Sequence, residues 1–394
     1  MKKFFERIIE GILTCSGFVT SITILLIIVF LFSEAFGLFG SKAIEDGYVL
    51  ALNKQNKVTD ITPAEIKKVF DGEITNWSQL GGGNTPITVF RLENLTDYYS
   101  EEELGPEYAY AGAKIAELIN KNPGMVGFIP NTYLDKSFQG HLIKDKTISM
   151  KDVLTGTEWF PTATPAPLFG ILPLITGTLW VSFFAILFAL PFGLSVSIYM
   201  SEVSNHKVRD ILKPIIELLS GIPSVVYGFF GLIVIVPLIQ KVFHLPVGES
   251  GLAGSIVLAI MALPTIITVS EDAMRNCPRS MREASLALGA SKWQTIYKVV
   301  IPYSISGITS GVVLGIGRAI GETMAVLMVT GNAAVIPHTI LEPLRTIPAT
   351  IAAELGEAPA GGAHYQALFL LGVVLFFITL IINFSVEYIS SKQK

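Results

Sequence analysis

The stretch Tyr303–Val329 reads YSISGITSGVVLGIGRAIGETMAVLMV, and Arg318 and Glu322 are its only full charges. A charged side chain at the centre of a bilayer costs about 2.5–3.5 kcal/mol, so such residues usually face a bundle interior or an aqueous path. Two interpretations stay open. The i to i+4 spacing fits an ion pair that holds helices together. Alternatively, the pair lies on a transport path, where Arg318 meets an anion and Glu322 keeps Arg318 in place.

This stretch is one of six apolar segments that are long enough to cross a membrane as a helix. Across the chain 51% of residues are hydrophobic, 15% are charged and the mean hydropathy is +0.57, which excludes a soluble protein. In chain order the segments are Gly11–Phe36, Leu172–Tyr199, Ile222–Ile239, Leu252–Thr268, Tyr303–Val329 and Ala367–Ile389. We therefore predict an all-α polytopic membrane protein with about six transmembrane helices.

Basic residues predict the orientation of these segments, because short loops rich in lysine and arginine stay in the cytoplasm. Such residues precede the first segment, follow the second, separate the fourth from the fifth and end the chain. They are Lys2, Lys3, Arg7, Lys207, Arg209, Lys213, Arg275, Arg279, Arg282, Lys292, Lys298, Lys392 and Lys394. Both termini are therefore expected in the cytoplasm, with residues 41–167 outside. A cleaved signal peptide is the alternative for the first segment, whose apolar run exceeds the usual length of about 7–15 residues.

A polar segment at residues 41–167 separates the first apolar segment from the second. Turn signals divide it into predicted strands and helices. The strands are Tyr48–Leu52, Ile87–Phe90 and Met125–Ile129, and the helices are Pro63–Phe70 and Tyr108–Lys121. This alternation predicts a small extracytoplasmic α/β domain inserted into the membrane protein. The expected organisation is a first transmembrane helix at 1–40, the insert at 41–167 and a membrane core at 168–394, with a cytoplasmic loop at 271–302.

The loop between the fourth and fifth segments contains two sequences with capping-box spacing, which predict a helix, a bend and a second helix. Ser280 with Glu283 would start the first helix, Gly289 would end it, and Ser291 with Gln294 would start the second. Small and apolar side chains share one face of the first helix, namely Met281, Ala284, Ser285 and Leu288. This face fits docking into a partner's groove, and it equally fits a helix lying along the membrane surface.

The same loop carries a family resemblance. Its residues Glu283-Ala284-Ser285, then Gly289, then Val299-x-Ile301-Pro302, are similar to the cytoplasmic loop of ABC importer permeases. Three further strings narrow the family, namely ELLSGIPSVVYGFFG at Glu217–Gly231, SEDAM at Ser270–Met274 and GRAIGETMAV at Gly317–Val326. Together they resemble the permeases of the phosphate-specific ABC transporter, and the residues after Glu322 favour the C-type subunit over its A-type partner. The resemblance covers the first segment and about residues 154–394.

The resemblance implies a type I ABC importer permease fold in the bacterial inner membrane. It implies an A-type permease that completes the phosphate path, an ATPase dimer on the loop 271–302 and an extracytoplasmic phosphate-binding protein. The implied ATPase-coupling residues are Glu283, Ala284, Ser285, Leu288 and Gly289. The implied substrate-path residues are Arg318, Glu322, Thr323 and Ser224, with a hydrogen bond to a neighbouring helix as the open alternative for Ser224.

We expect no ATP hydrolysis by this chain. It contains no Gly-x4-Gly-Lys-Ser/Thr motif, so the loop that holds the nucleotide phosphates must come from a separate ATPase subunit. We expect no catalytic residue, cofactor, metal or nucleic-acid partner.

The inserted segment resembles parts of a periplasmic phosphate-binding protein at Val58–Gly81 and Gly124–Phe128. It departs from that family at Arg91–Glu103, where a phosphate loop rich in serine, glycine and threonine is replaced by RLENLTDYYSEEE. Three consecutive carboxylates disfavour an anion. We therefore predict a degenerate single lobe that does not bind phosphate alone. Docking of the binding protein, gating of the outer mouth and a tolerated insertion without function all stay open.

Two rival functions belong to other classes. A membrane-anchored phosphate sensor or scaffold without transport would need neither the Glu283–Gly289 string nor Arg318 and Glu322, yet the sequence has both. An intramembrane enzyme is disfavoured, because no histidine, aspartate and serine constellation suited to proteolysis lies within the apolar segments.

Overall fold

The computed structural model of the protein describes residues 2–45, 47–144 and 146–391. Lys392 and Lys394, on which part of the orientation prediction depends, lie outside these ranges. The chain forms two compact units: one contains Phe36–Gly170, and the other contains the residues up to Ala35 together with those from Ile171 onward.

Helices dominate the second of these units, and strands occur in the first. The α-helices are α1 (Lys2–Gly37), α2 (Pro63–Phe70), α3 (Leu95–Tyr98), α4 (Glu101–Leu104), α5 (Ala111–Lys121), α6 (Met150–Thr155), α7 (Leu172–Ile198), α8 (His206–Ser220), α9 (Ser224–Phe230), α10 (Val236–Phe243), α11 (Gly251–Arg275), α12 (Arg279–Ala287), α13 (Lys292–Thr295), α14 (Ile301–Gly321), α15 (Met324–Val329), α16 (Ile347–Glu354) and α17 (Ala363–Ser391). The strands are β1 (Tyr48–Leu52), β2 (Thr88–Arg91), β3 (Met125–Pro130), β4 (His141–Leu142), β5 (Trp159–Phe160) and β6 (Leu168–Phe169).

Six helical segments are long and apolar enough to cross a membrane, which confirms the predicted all-α polytopic class. They are Ile9–Gly40, Leu172–Val203, Ser224–Phe243, Gly251–Arg275, Lys292–Gly321 and Ala363–Tyr388. Three of them contain a π-helical turn, at Tyr199–Val203, Gly231–Ile235 and Ile296–Val300. The turn at Gly231–Ile235 joins α9 to α10, and the turn at Ile296–Val300 joins α13 to α14, so each pair of helices forms a single span.

The helix α11 lies at the centre of the membrane unit and packs against α7 and α14. Three glycines of α14, one helical turn apart, face α11. A Cβ atom placed on Gly307 would lie 2.4 Å from the Cβ of Ala273, and one on Gly315 would lie 2.9 Å from Ile266 Cγ1. Small residues allow membrane helices to approach this closely. This packing fixes α14, which carries Arg318.

The first span packs against the last through aromatic side chains. The ring of Phe30 lies 5.5 Å from that of Phe369, and the ring of Phe32 lies 5.9 Å from that of Phe377, both edge to face. Edge-to-face pairs of this kind add about 0.5–1.5 kcal/mol to the burial of apolar area. Most other large apolar side chains of α1 within the described part are exposed, as expected for a helix that faces lipid.

The inserted unit is built on a four-stranded sheet in the order β2-β3-β1-β4. The strand β3 runs antiparallel to β1 and parallel to β2, while β4 runs antiparallel to β1. Two apolar clusters fill the two faces of the sheet. One cluster contains Ile66 and Val69 of α2, and the other contains Ile115 and Ile119 of α5. The small α/β region predicted from the sequence is therefore present.

Candidate functional site

The fifth span is interrupted beside its two charges. The sequence predicts one continuous helix over Tyr303–Val329, but α14 ends at Gly321 and the extended backbone of Glu322 (φ −72°, ψ 131°) separates it from α15. The Glu322 Oε1 atom accepts a hydrogen bond from the backbone N–H of Ala325 at 3.3 Å. The prediction of a continuous helix is therefore wrong at this point, because the extended backbone of Glu322 ends α14 and α15 begins only at Met324.

This break removes the helical i to i+4 geometry on which an Arg318–Glu322 ion pair would depend. Within the described residues no carboxylate lies in ion-pair distance of the Arg318 guanidinium, and Glu322 contacts only backbone. Both side chains are partly buried. Arg318, in the last turn of α14, therefore keeps its donors available for a ligand.

The Ser224–Tyr227 string lies next to this break, because α9 packs against α15. A Cβ atom on Gly228 would lie 2.8 Å from Met328 Sδ and 2.9 Å from Ala325 Cα, so glycine allows this close contact. The Tyr227 hydroxyl donates to the carbonyl oxygen of Leu219 at 2.8 Å. The structure thus brings the two predicted strings together, and Tyr227 bridges back to the end of α8.

The other two predicted path residues differ in their surroundings. Ser224 is partly buried, and its hydroxyl has no hydrogen-bond partner among the residues that the structure describes. Thr323 donates a hydrogen bond to the carbonyl oxygen of Gly321 at 3.3 Å. Thr323 also lines a cavity of about 520 Å³ whose other walls are Gly321, Pro348, Ile351, Ala352, Leu355, Gly356 and Leu375. That cavity is apolar, and Thr323 is its one hydroxyl-bearing residue.

The predicted helix, bend and helix after the fourth span are present, with one correction. The helix α12 begins at Arg279 after Pro278, so Ser280 lies in its first turn and the predicted Ser280–Glu283 capping box is wrong. Proline presets the backbone for this start, and no side-chain cap is needed. The Ser291–Gln294 capping box forms as predicted, and the bend lies at Gly289, whose φ of +84° favours glycine.

The apolar face of α12 is largely exposed. Leu288 is 90% exposed and Met281 39% exposed, and Ala284 and Glu283 are exposed as well. Ser285 differs, because its hydroxyl pairs with that of Thr295 at 2.9 Å. The structure therefore presents Glu283, Ala284 and Leu288 to a partner, and it turns Ser285 toward α13.

A family model described as "Binding-protein-dependent transport system inner membrane component" matches residues 189–394. The chain belongs to this family. The probable ABC transporter permease protein YqgH of Bacillus subtilis (strain 168) is 40% identical over 259 residues, which are 66% of this chain and 83% of that protein. The phosphate transport system permease protein PstC of Mesorhizobium japonicum is 38% identical over 248 residues, 58% of this chain and 75% of that protein. These findings confirm the family resemblance drawn from the sequence.

Two further comparisons concern the two units separately. A solved structure titled as inward facing conformations of the MetNI methionine ABC transporter, in its CY5 native crystal form, aligns at 20% identity and a TM-score of 0.45, covering 57% of this chain and 97% of that chain. A second family model, described as "PBP superfamily domain", matches residues 32–139. This inner membrane component thus contains an insert similar to part of a binding protein.

In the insert, a carboxylate bonds the donors at the start of α4. The backbone N–H of Ser100, before α4, donates to Glu103 Oε2 at 3.0 Å, and the Ser100 hydroxyl lies 3.2 Å from the same oxygen. These bonds lower the pKa of the Glu103 carboxyl. Both donors of Ser100 are therefore bonded to a carboxylate of the chain itself.

A buried carboxylate of the permease was not predicted as a site residue. Glu271, near the end of α11, is fully buried and lies 2.8 Å from Arg209 Nε and 3.1 Å from Lys213 Nζ. Lys213 also pairs with Asp272 at 2.9 Å, and these hydrogen bonds, that to Asp272 foremost, raise the pKa of the Lys213 ammonium. The string Ser270–Met274 was a signal in the sequence, but the basic partners lie on α8, far away in sequence. The cluster holds α8 against α11.

Replacing Glu271 by glutamine is expected to destabilise this permease by about 2 kcal/mol. Breaking a buried ion pair typically costs about 3–5 kcal/mol. The cost is smaller here, because the side chains of Arg209 and Lys213 are 17% and 27% exposed. Thermal unfolding of the purified protein in detergent measures the effect. Asp272→Asn is the matched control, since Asp272 is 55% exposed and surface pairs contribute at most about 1 kcal/mol. Equal midpoints for the two variants would contradict the assignment.

Proposed function

We propose that the protein is the C-type permease subunit of an ATP-driven phosphate importer. The observation that carries the proposal is Arg318, a guanidinium in the last turn of α14 with no carboxylate in ion-pair distance among the described residues, placed beside a helix break in a chain of this transport family. Guanidinium groups match the oxygens of a phosphate dianion with parallel hydrogen bonds. The relatives that are named phosphate transport system permeases support phosphate as the substrate.

The substrate path in this proposal contains Arg318, Glu322, Thr323 and Ser224. Arg318 would bind the anion, and the free hydroxyl of Ser224 would add a neutral donor. Glu322 would keep the site from binding too tightly, because its negative charge opposes the anion as it arrives. An A-type permease would supply the other wall of the path.

The partners in this proposal follow from the orientation predicted by the basic loops. Both termini and α12 would be cytoplasmic, with residues 41–167 outside and residues 168–394 forming the permease core with the first span. A dimer of ABC ATPases would dock on the exposed face of α12, at Glu283, Ala284 and Leu288, with Ser285 and Gly289 shaping that helix. An extracytoplasmic phosphate-binding protein would deliver the substrate.

Uptake of radiolabelled phosphate tests the proposal. The host cells lack their own phosphate transporter and receive this chain with its A-type partner, ATPase and binding protein. We expect ATP-dependent uptake that requires this chain. Competition by unlabelled phosphate, arsenate and sulfate then defines the substrate class. If unlabelled sulfate blocks the uptake and unlabelled phosphate does not, the phosphate assignment is wrong.

A membrane-anchored phosphate sensor or scaffold without transport is the less favoured function. The chain belongs to a transport family and has an exposed α12 face together with an arginine inside a membrane span. A sensor needs neither feature. Absence of uptake in the complemented cells, together with phosphate-dependent signalling, would favour the sensor instead.

Removing residues 45–160 tests the role proposed for the insert, which is to dock the binding protein or gate the outer mouth. With a short glycine and serine linker in its place, we expect normal membrane abundance, because the insert has its own apolar core. Uptake should fall several-fold at low phosphate, where capture by the binding protein limits the rate. Full uptake with unchanged affinity would identify the insert as dispensable.

A further inference from the structure

Arg282 of α12 joins three helices through one guanidinium group. Its Nη1 donates to the carbonyl oxygen of Cys277 at 2.8 Å, and its Nη2 donates to the carbonyl oxygen of Met274 at 2.9 Å. The same Nη2 lies 2.7 Å from Glu202 Oε1. Glu202 belongs to the π-helical turn that ends the second span, and Met274 lies in the last turn of α11. Arg282 therefore connects α12 to the ends of the second and fourth spans.

These contacts are protected from solvent. The side chains of Arg282 and Glu202 are 21% and 9% exposed, and Met274 and Cys277, whose carbonyl oxygens accept from Arg282, are buried. A positive charge near the last carbonyl groups of a helix is favourable. The planar guanidinium bonds the Met274 carbonyl at the end of α11, the Cys277 carbonyl just beyond that helix and a carboxylate at once, which a lysine ammonium on its flexible stem does less well.

The other connections of α12 are a bend, a hydroxyl pair and a three-residue link. On its far side the chain bends at Gly289, which is exposed and has open space around it. The Ser285–Thr295 hydroxyl pair ties α12 to α13, the start of the fifth span. On the near side only Asn276, Cys277 and Pro278 separate α12 from α11. Among the described contacts of α12, Arg282 makes the ion pair that reaches the second span.

We propose that Arg282 is a positioning residue that transmits displacement of α12 to the ends of the second and fourth spans. The inference rests on the proposed function only for the source of the force, the ATPase docked on α12. Arg282 points away from the docking face, toward buried carbonyls and Glu202. Without it, α12 would remain docked, because Glu283, Ala284 and Leu288 are unaffected. Movement of α12 would then be transmitted poorly to the second span, because the remaining described connections of α12 run to α11 and α13.

The first test compares phosphate transported per ATP hydrolysed in proteoliposomes that contain the whole complex. For Arg282→Met we expect wild-type amounts of co-purified ATPase and near-normal basal hydrolysis, with the ratio at least about tenfold lower, since the variant strands a buried carboxylate. Arg282→Lys should lie between the two. Arg279→Met is the matched control, because Arg279 is an exposed arginine of the same helix without a bonded partner in the described part of the chain. It should keep the wild-type ratio.

The pairing with Glu202 gives a variant that keeps the shape of the site. Glu202→Gln should also lower the ratio. The double variant Glu202→Gln with Arg282→Met should have the same ratio as Arg282→Met alone, because the two single substitutions break the same contact. Additive losses, or an unchanged ratio in Arg282→Met and Glu202→Gln, would overturn the proposal. If Arg282→Met does not fold, Glu202→Gln and Arg282→Lys decide the outcome by the same ratio.

A second readout does not depend on the substrate. Spin labels at Ser280 and Asn205, in a background where Cys15 and Cys277 are serine, report the distance between α12 and the end of the second span. In the wild type ATP should leave this distance unchanged, because the two ends move together. In Arg282→Met ATP should change it, and an unchanged distance there would count against the proposal. Absence of phosphate uptake by the wild type would contradict the proposed function, while this distance would still decide the role of Arg282.

Discussion

Arg318→Gln is expected to reduce phosphate uptake at least about thirtyfold, equivalent to about 2 kcal/mol or more. The substitution removes a charged hydrogen-bond donor from the proposed path. Among the described residues, no other cationic side chain is bonded at this point. Uptake by cells that carry the complete complex measures the loss, and Arg318→Lys should retain part of the activity, because it keeps the charge without the planar fork.

Membrane abundance distinguishes this interpretation from a structural one. Arg318 has no ion pair to lose in the described residues, and removing a charge from a membrane span relieves an insertion cost of about 2.5–3.5 kcal/mol. Abundance of Arg318→Gln should therefore be normal. Parallel loss of abundance and uptake would make Arg318 a structural residue, and unchanged uptake would remove it from the path.

Glu283→Lys is expected to abolish docking of the ATPase and to lower uptake at least about tenfold, because a reversed charge in an interface costs several kcal/mol. Membrane insertion should be unaffected, since Glu283 is exposed and bonds to no other described residue. Co-purification of the ATPase with the permease measures docking directly.

The control for this prediction is Asp210→Lys, which reverses an exposed acidic charge on α8 instead of α12. It should keep both docking and uptake. The two α12 variants also separate docking from transmission, because Glu283→Lys should lose the ATPase whereas Arg282→Met should retain it. Normal uptake by Glu283→Lys would remove Glu283 from the docking surface.

The sequence was most informative where local pattern decides structure. The six spans follow from apolar length alone, and the strand Tyr48–Leu52 and the helix Pro63–Phe70 follow from the turn signals that separate them. The Ser291–Gln294 capping box was likewise predicted, because both partners lie within one turn.

The features that could not be predicted depend on tertiary packing. Nothing local requires the fifth span to break at Glu322, because the surrounding residues are apolar enough to continue the helix. The bonds of Glu271 to Arg209 and of Arg282 to Glu202 join residues that are distant in sequence, and only the packing of α7, α8 and α11 brings them together. From the sequence, a basic residue in a loop helps to predict the orientation of the spans, but the carboxylate that pairs with it cannot be identified.

The break in the fifth span leaves its two halves attached to different parts of the molecule. The α15 half is held at its far end, where Ser250 N–H donates to the carbonyl oxygen of Val329 and Leu344 N–H donates to that of Thr330. The α14 half continues back through a π-helical turn to α13 and α12. Because Gly307 and Gly315 hold α14 close to α11, the Arg318 guanidinium would move with both helices, while α15 stays attached elsewhere. In the proposed path, re-aiming Arg318 between the two sides would then require a joint movement of α14 and α11, with no helix unwound.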